Sequence, residues 1–212
     1  MKILMVLAHP DDEVIFGWPI LQRVREGWPH EVSLLICSSD RRNPDRRWCA
    51  RRTEGLLALG EWLGIEVSFL DYNSEFYRLE SRKGSLAKFR DDVIMNIWAA
   101  RREKPDVCFT HNPFGEYGHM DHIFVHNIVA AYFHGPVWYT DIVQSSNWSR
   151  SIPQCKAARD RWFGREVFES ELNEEWAAKA QEFYLKIGCW TWDQPIVRKA
   201  SVCEAGILGR KT

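Results

Sequence analysis

The sequence predicts a single α/β domain over 1–212, Rossmann-like, with a mostly parallel doubly wound sheet and helices on both faces. Three observations lead there. Short apolar runs alternate with longer amphipathic stretches, as strands and crossover helices do in parallel sheets. The runs are apolar almost throughout, which suits strands covered on both faces. The chain is 212 residues long, a length that fits one core of this class.

The elements follow in order. The first strand is "KILMVLA" (2–8), and "EVSLLICS" (31–38), "EVSFLDY" (66–72), "DVCFTH" (106–111) and "PVWYTD" (136–141) give four more. Between them, 13–27 reads as a helix kinked or broken at proline, and 47–64 as a helix stopped by Gly64. Further helices are expected over 85–104, 119–133 and 173–188, the last opened by Asn173 as N-cap and closed by Gly188. The stretch 142–172 is polar with embedded aromatics and shows no clear period, so it reads as an irregular surface excursion or lid. With strand order 3-2-1-4-5, strands one and four are neighbours at the topological switch, where ligands of such sheets sit.

Composition narrows the partners. Lys+Arg number 28 against 29 Asp+Glu, a net charge of -1. No one-signed tail stands out, so a nucleic-acid partner is not expected, and a small molecule is. The six cysteines (Cys37, Cys49, Cys108, Cys155, Cys189, Cys203) form no close pair and read as reduced structural thiols. Charged residues follow "MKILMVL" where a signal peptide would carry small ones, and no run reaches the roughly 18 apolar residues of a membrane span. A cytoplasmic protein is expected, which deprives the sequon at Asn147 of meaning; a homo-oligomer is left open.

Two polar clusters carry the chemistry. "AHPDDE" (8–13) leaves the first strand, and "GEYGHMDH" (115–122) follows the fourth. Acids at a helix start can serve the helix dipole alone, for a few tenths to about 1 kcal/mol each. That role requires neither His9 nor Pro10, and two histidines with an aspartate at 119–122 face the same edge. His9, Asp12 and His122 would make the three-ligand set of a catalytic zinc, leaving one position for water. Iron, cobalt or manganese could accept the same donors. Asp11 is then free to act as general base. His119, if protonated and held by Asp121, could offer a charged donor to an oxyanion. His126, at i+4 from His122, could compete as a ligand but more often packs at such a depth; His111 could line the pocket or simply end its strand.

The paired "AHPDDE" and "GHMDH" resemble the LmbE-like, or PIG-L, N-deacetylases, and the helix "RRTEGLLALGEWLG" is similar too. The resemblance implies a zinc-dependent hydrolase with a Rossmann-like fold that removes acetyl or similar acyl groups from an N-acylated sugar or glycoconjugate. It implies zinc on His9, Asp12 and His122, Asp11 as base, His119 as oxyanion stabiliser or acid, and Asp121 orienting His119. It further implies Arg51 and Tyr117 as substrate contacts. The loop "CSSDRRNPDRRW" (37–48) departs from the Thr-Asp-Gly-like turn of many relatives. Alternatives are a zinc amidase for a non-sugar amide and a non-catalytic sugar- or nucleotide-binding protein; the first strand-helix turn lacks the GxGxxG glycines that the latter uses. Trp138, Trp148, Trp162, Trp190 and Trp192 could stack on sugar rings or fill the core.

Overall fold

The computed structural model describes residues 1–39, 47–100, 104–142 and 164–205. Strands β1 (Lys2–Leu7), β2 (Glu31–Ser38), β3 (Glu66–Tyr72), β4 (Val107–Thr110) and β5 (Val137–Thr140) pair in parallel, in the order β3-β2-β1-β4-β5. Two strands that the sequence did not announce, β6 (Arg165–Glu171) and β7 (Lys199–Glu204), extend this edge antiparallel, giving β5-β7-β6. The expected irregular excursion is therefore corrected at its end: 165–171 pair as a strand, and 143–163 lie outside the described residues, with Asn147, Trp148 and Trp162.

The reason β1 is apolar at every position after Lys2 is visible in its neighbours. Ile3, Met5 and Leu7 pack into one core cluster, and Leu4, Val6 and Ala8 into another on the opposite face. Helices α2 (Trp18–Arg25), α3 (Arg47–Leu63) and α8 (Glu174–Leu185) contribute to the first, and α5 (Leu86–Ala100) and α7 (Met120–Tyr132) to the second. Asn173 caps α8 as expected, accepting from the amides of Glu175 and Trp176.

The predicted break in 13–27 falls at Gly17, between the short α1 (Asp12–Ile15) and α2, which has Pro19 in its first turn. A Cβ on Gly17 would lie 2.7 Å from Met5 Cε and 2.8 Å from the Glu13 carbonyl. The chain thus crosses close under the sheet and turns. Helix α4 (Phe76–Lys83) and the short turn α6 (Gly115–Gly118) were not foreseen. The cysteines with described side chains, Cys37, Cys108, Cys189 and Cys203, are buried free thiols. Among the described residues no helix is long and apolar enough to cross a membrane.

Candidate metal centre

Register brings the two clusters together. β1 and β4 run side by side with Val6 opposite Thr110, and they end at the same edge. Thr110 Oγ1 donates to the Val6 carbonyl at 2.8 Å, and the Ala8 amide donates to His111 Nε2 at 2.9 Å. Beyond these bonds β1 opens into the 9–12 turn and β4 into the loop before α7.

Three donor atoms converge there. His9 Nδ1 lies 3.2 Å from Asp12 Oδ2, His122 Nε2 lies 3.4 Å from the same oxygen, and the two nitrogens are 3.2 Å apart. A tetrahedral zinc with bonds near 2.05 Å has edges of about 3.3 Å, so the triangle matches one face of that polyhedron. The far nitrogen of each imidazole is held by a buried carboxylate. His9 Nε2 bonds Asp121 Oδ2 at 2.8 Å, and His122 Nδ1 bonds Glu116 Oε2 at 2.7 Å. In the neutral rings these partners put the proton on the far nitrogen and aim the lone pair at the triangle, as the partners of metal-bound histidines do. The expected set of His9, Asp12 and His122 is thus assembled, and its donors fit a divalent ion.

Other histidines are committed elsewhere. His111 also directs Nδ1 at Glu116 Oε2, at 3.1 Å, and its ring stacks on His122 with centroids 3.8 Å apart. Its Nε2 takes the Ala8 amide proton, so it ends the strand and backs His122. Donors of Asp12, His111 and His122, and of His9, His119 and His122, also lie within 4.8 Å of one another. The His126 ring bonds the His111 carbonyl through Nδ1, at 2.7 Å, and does not compete as a ligand.

Asp11 lies beside the triangle with φ 98°, a conformation costly for a non-glycine residue. Its amide donates to Glu13 Oε2 at 2.9 Å, and Glu13 Oε1 accepts from the Tyr184 hydroxyl. Arg52 donates to Asp11 Oδ1 and to the Pro10 carbonyl, and Thr191 Oγ1 donates to Asp11 Oδ2. Burial raises the Asp11 carboxyl above its ordinary value, against the pull of Arg52. Burial also resists ionisation of Asp12, but His122 and His9 outweigh it and hold Asp12 well below the usual range. Two adjacent acids are thereby separated, one a firm anion and the other a readier proton acceptor.

Three expectations are corrected. Asp121 does not orient His119 through its carboxylate, which is taken by His9 Nε2 and, at 2.8 Å, by the Tyr77 amide. The Asp121 backbone N–H holds His119 instead, donating to Nδ1 at 3.2 Å. A ring that accepts at Nδ1 is neutral and carries its proton on Nε2. Burial, reinforced by His122 and His9, agrees by pushing His119 down to about 2, so the charged donor is replaced by a neutral one. Arg51 is exposed, and the inward arginine is Arg52, only 6% accessible, because one residue turns a helix by about 100°. Tyr117 stands where expected, lining with His9, Asp11, His119, Thr191 and Trp192 a cleft of about 180 Å³. Its ring meets His119 and His122 edge-on at 5.5 Å each.

Sequence reasoning missed Glu116, Arg52 and Thr191. Glu116 lies inside the quoted second cluster, and its buried carboxylate accepts three bonds; a helical-phase argument would have favoured Arg52; nothing local marks Thr191.

The profile of the family described as PIG-L: GlcNAc-PI de-N-acetylase matches residues 4–133. A 1D-myo-inositol 2-acetamido-2-deoxy-alpha-D-glucopyranoside deacetylase 2 from Saccharopolyspora erythraea is 34% identical over 143 residues, 57% of this chain and 52% of that protein. The chain thus spans about half the length of the curated relatives it matches first. Among solved structures, the antimicrobial reagent A40926 pseudoaglycone deacetylase aligns with TM-score 0.65 at 15% identity, covering 99% of this chain and 98% of that one. A 4-carboxy-2-hydroxymuconate hydratase from Pseudomonas putida KT2440 aligns with TM-score 0.58 at 17% identity, covering 100% and 98%. These likenesses concern the fold.

Proposed function

The chain belongs to the PIG-L family, and from that premise we propose that it is a zinc-dependent hydrolase removing an acetyl or similar acyl group from the nitrogen of an amino sugar or sugar conjugate. A fold that also serves a hydratase leaves the reaction open, so the reading stands on the site. The observation that carries it is the donor triangle of His9, Asp12 and His122, with both imidazoles braced by carboxylates. The deacetylase relative from Saccharopolyspora erythraea supports the substrate class.

A divalent ion on these three donors would acidify a water and polarise the acyl oxygen. Asp11, held by Arg52 and Thr191, takes the proton as the water oxygen bonds the acyl carbon, and returns it to the departing nitrogen as the C–N bond breaks. His119 directs its neutral Nε2–H at the acyl oxygen while charge develops there. Tyr117 and Trp192 wall the cleft, limit water and offer aromatic faces to a sugar ring.

The test combines metal content with turnover. Elemental mass spectrometry of chelator-free protein should give about one divalent ion per chain, and N-acetylglucosamine conjugates should release acetate. Failure to bind zinc on reconstitution would sink the hydrolase reading. Metal binding with hydrolysis only of non-sugar amides would overturn the substrate class.

A further inference from the structure

Resting on that reading, we propose that Thr191 is a positioning residue for Asp11, so that the 190–192 segment, outside the family-matched 4–133, completes the catalytic wall. Asp11 is 3% accessible, and each of its carboxylate oxygens has a protein donor. Arg52 approaches Oδ1 from α3, and the Thr191 hydroxyl approaches Oδ2 from the chain following α8. Every carboxylate oxygen has two lone pairs, so each retains one for a water. Two donors from different elements fix the rotation of the carboxylate about Cβ–Cγ; with Arg52 alone, Oδ2 could swing away from the cleft.

The segment is itself held firmly enough for this role. The Cys189 amide donates to the Tyr184 carbonyl at 2.9 Å, and Tyr184 reaches Glu13, whose other oxygen takes the Asp11 amide. Trp190 packs on Tyr184 at 5.9 Å. Trp192 meets Phe16 edge-on at 5.7 Å and lies 5.4 Å from Tyr117. Thr191 is bracketed by anchored aromatics, and its β-branched side chain restricts where the hydroxyl points. Asp11 is thus clamped at its backbone through Glu13, which Tyr184 holds, and at its carboxylate through Thr191, so both holds trace to the C-terminal part of the chain.

The experiment compares Thr191→Val, which keeps the shape and loses the donor, with Thr191→Ser, which keeps the donor. In metal-free protein, a thermal double-mutant cycle with Asp11→Ala reads the pair directly, whatever the substrate. Thr191→Val should lower Tm by about 3 °C in the wild-type background and by under about 1 °C with Asp11→Ala. In zinc-loaded protein with an N-acetylglucosamine conjugate as probe, Thr191→Val should cut kcat about 10- to 100-fold with KM and zinc content unchanged. Thr191→Ser should restore most of it. Equal Tm shifts in both backgrounds, or a valine variant with wild-type kcat, would overturn the proposal. Should the wild-type protein hydrolyse no N-acetyl sugar, the functional reading fails, and the thermal cycle alone decides for or against the Thr191–Asp11 hold.

Discussion

Replacing Glu116 by glutamine tests the metal centre without touching a ligand. Glu116 is inaccessible to solvent and accepts three hydrogen bonds, from His122 Nδ1 at 2.7 Å, His111 Nδ1 at 3.1 Å and the Asn112 amide at 2.8 Å. A glutamine has one acceptor oxygen where the carboxylate has two. With that oxygen toward the imidazoles, the new NH2 faces the Asn112 N–H; in the opposite rotamer it faces two imidazole donors. At least one buried bond to a charged group is lost either way, at about 1.5–3 kcal/mol. At roughly 2–4 °C per kcal/mol for this size, metal-free Glu116→Gln should melt about 3–12 °C lower. His122 also loses the partner that fixes its tautomer, so zinc affinity should fall about 10- to 100-fold in competition with a chromophoric chelator. Burial opposes the Glu116 charge, yet His111 and His122 depress its carboxyl to about 2. A depressed acid contributes stability above its unfolded value near 4.5 and loses it as pH falls through about 2, so the wild-type advantage should shrink on acidification from pH 5 to 3. Wild-type zinc affinity in Glu116→Gln would refute the claim that Glu116 aims His122 at a metal.

The ligand and base assignments separate in two variants: His122→Ala should lose zinc and activity, whereas Asp11→Ala should retain about one zinc and lose most activity, and equal zinc loss would show the roles misassigned. Arg51→Ala should leave kcat/KM within about twofold while Arg52→Ala lowers it at least about tenfold, and the reverse ranking would sink the corrected assignment. Trp192→Ala should raise KM for an N-acetylated sugar by about 5- to 30-fold, in line with a lost aromatic contact of about 1–2 kcal/mol, while leaving zinc content unchanged. An unchanged KM would remove Trp192 from the substrate wall.

How much of this could be read beforehand depended on whether the signal was local. Strands β1, β2, β4 and β5 were legible because burial on both sides of the sheet leaves few polar positions, as Ile3 to Ala8 show, and the edge strand β3 because Val67 and Phe69 keep its apolar alternation. The β6 strand, "REVFESE", is mostly accessible and at the sheet edge, so charge masks its alternation. The donor triangle was legible because His9 and Asp12 follow directly on the end of β1, and His122 lies in the first turn of the helix that follows β4. What escaped were partners chosen by the fold. Asp121 is two residues from His119 in sequence, yet its carboxylate crosses to His9, 112 positions away. Arg51 and Arg52 differ only by helical phase, and the Thr191–Asp11 bond joins residues 180 positions apart. Spacing predicts neighbours within an element, and only tertiary packing decides where a side chain from another element arrives.

The distribution of buried charge makes the same site stand out. Among the described residues the buried carboxylates are Asp11, Asp12, Glu13, Glu116 and Asp121, and all five lie in or directly behind the cleft. Buried acids demand compensation, and the one buried guanidinium, Arg52, supplies a single positive charge. A core built for stability alone would not gather five acids around one arginine and neighbouring imidazoles. Backbone strain gathers there too: of four described non-glycine residues with positive φ, Asp11 and Glu75 line the cleft and Glu116 braces His122. Such strain costs on the order of 1–3 kcal/mol per residue and persists only where the surroundings over-determine it. For Asp11 those surroundings are Glu13, Arg52 and Thr191; for Glu116 they are two imidazoles and an amide. A divalent cation among His9, Asp12 and His122 would complete the charge balance. Chelator-stripped protein should therefore gain more thermal stability from zinc than from equimolar magnesium, which prefers six oxygen ligands. Equal stabilisation by both ions would argue that the acids attract cations without forming a nitrogen-bearing metal centre.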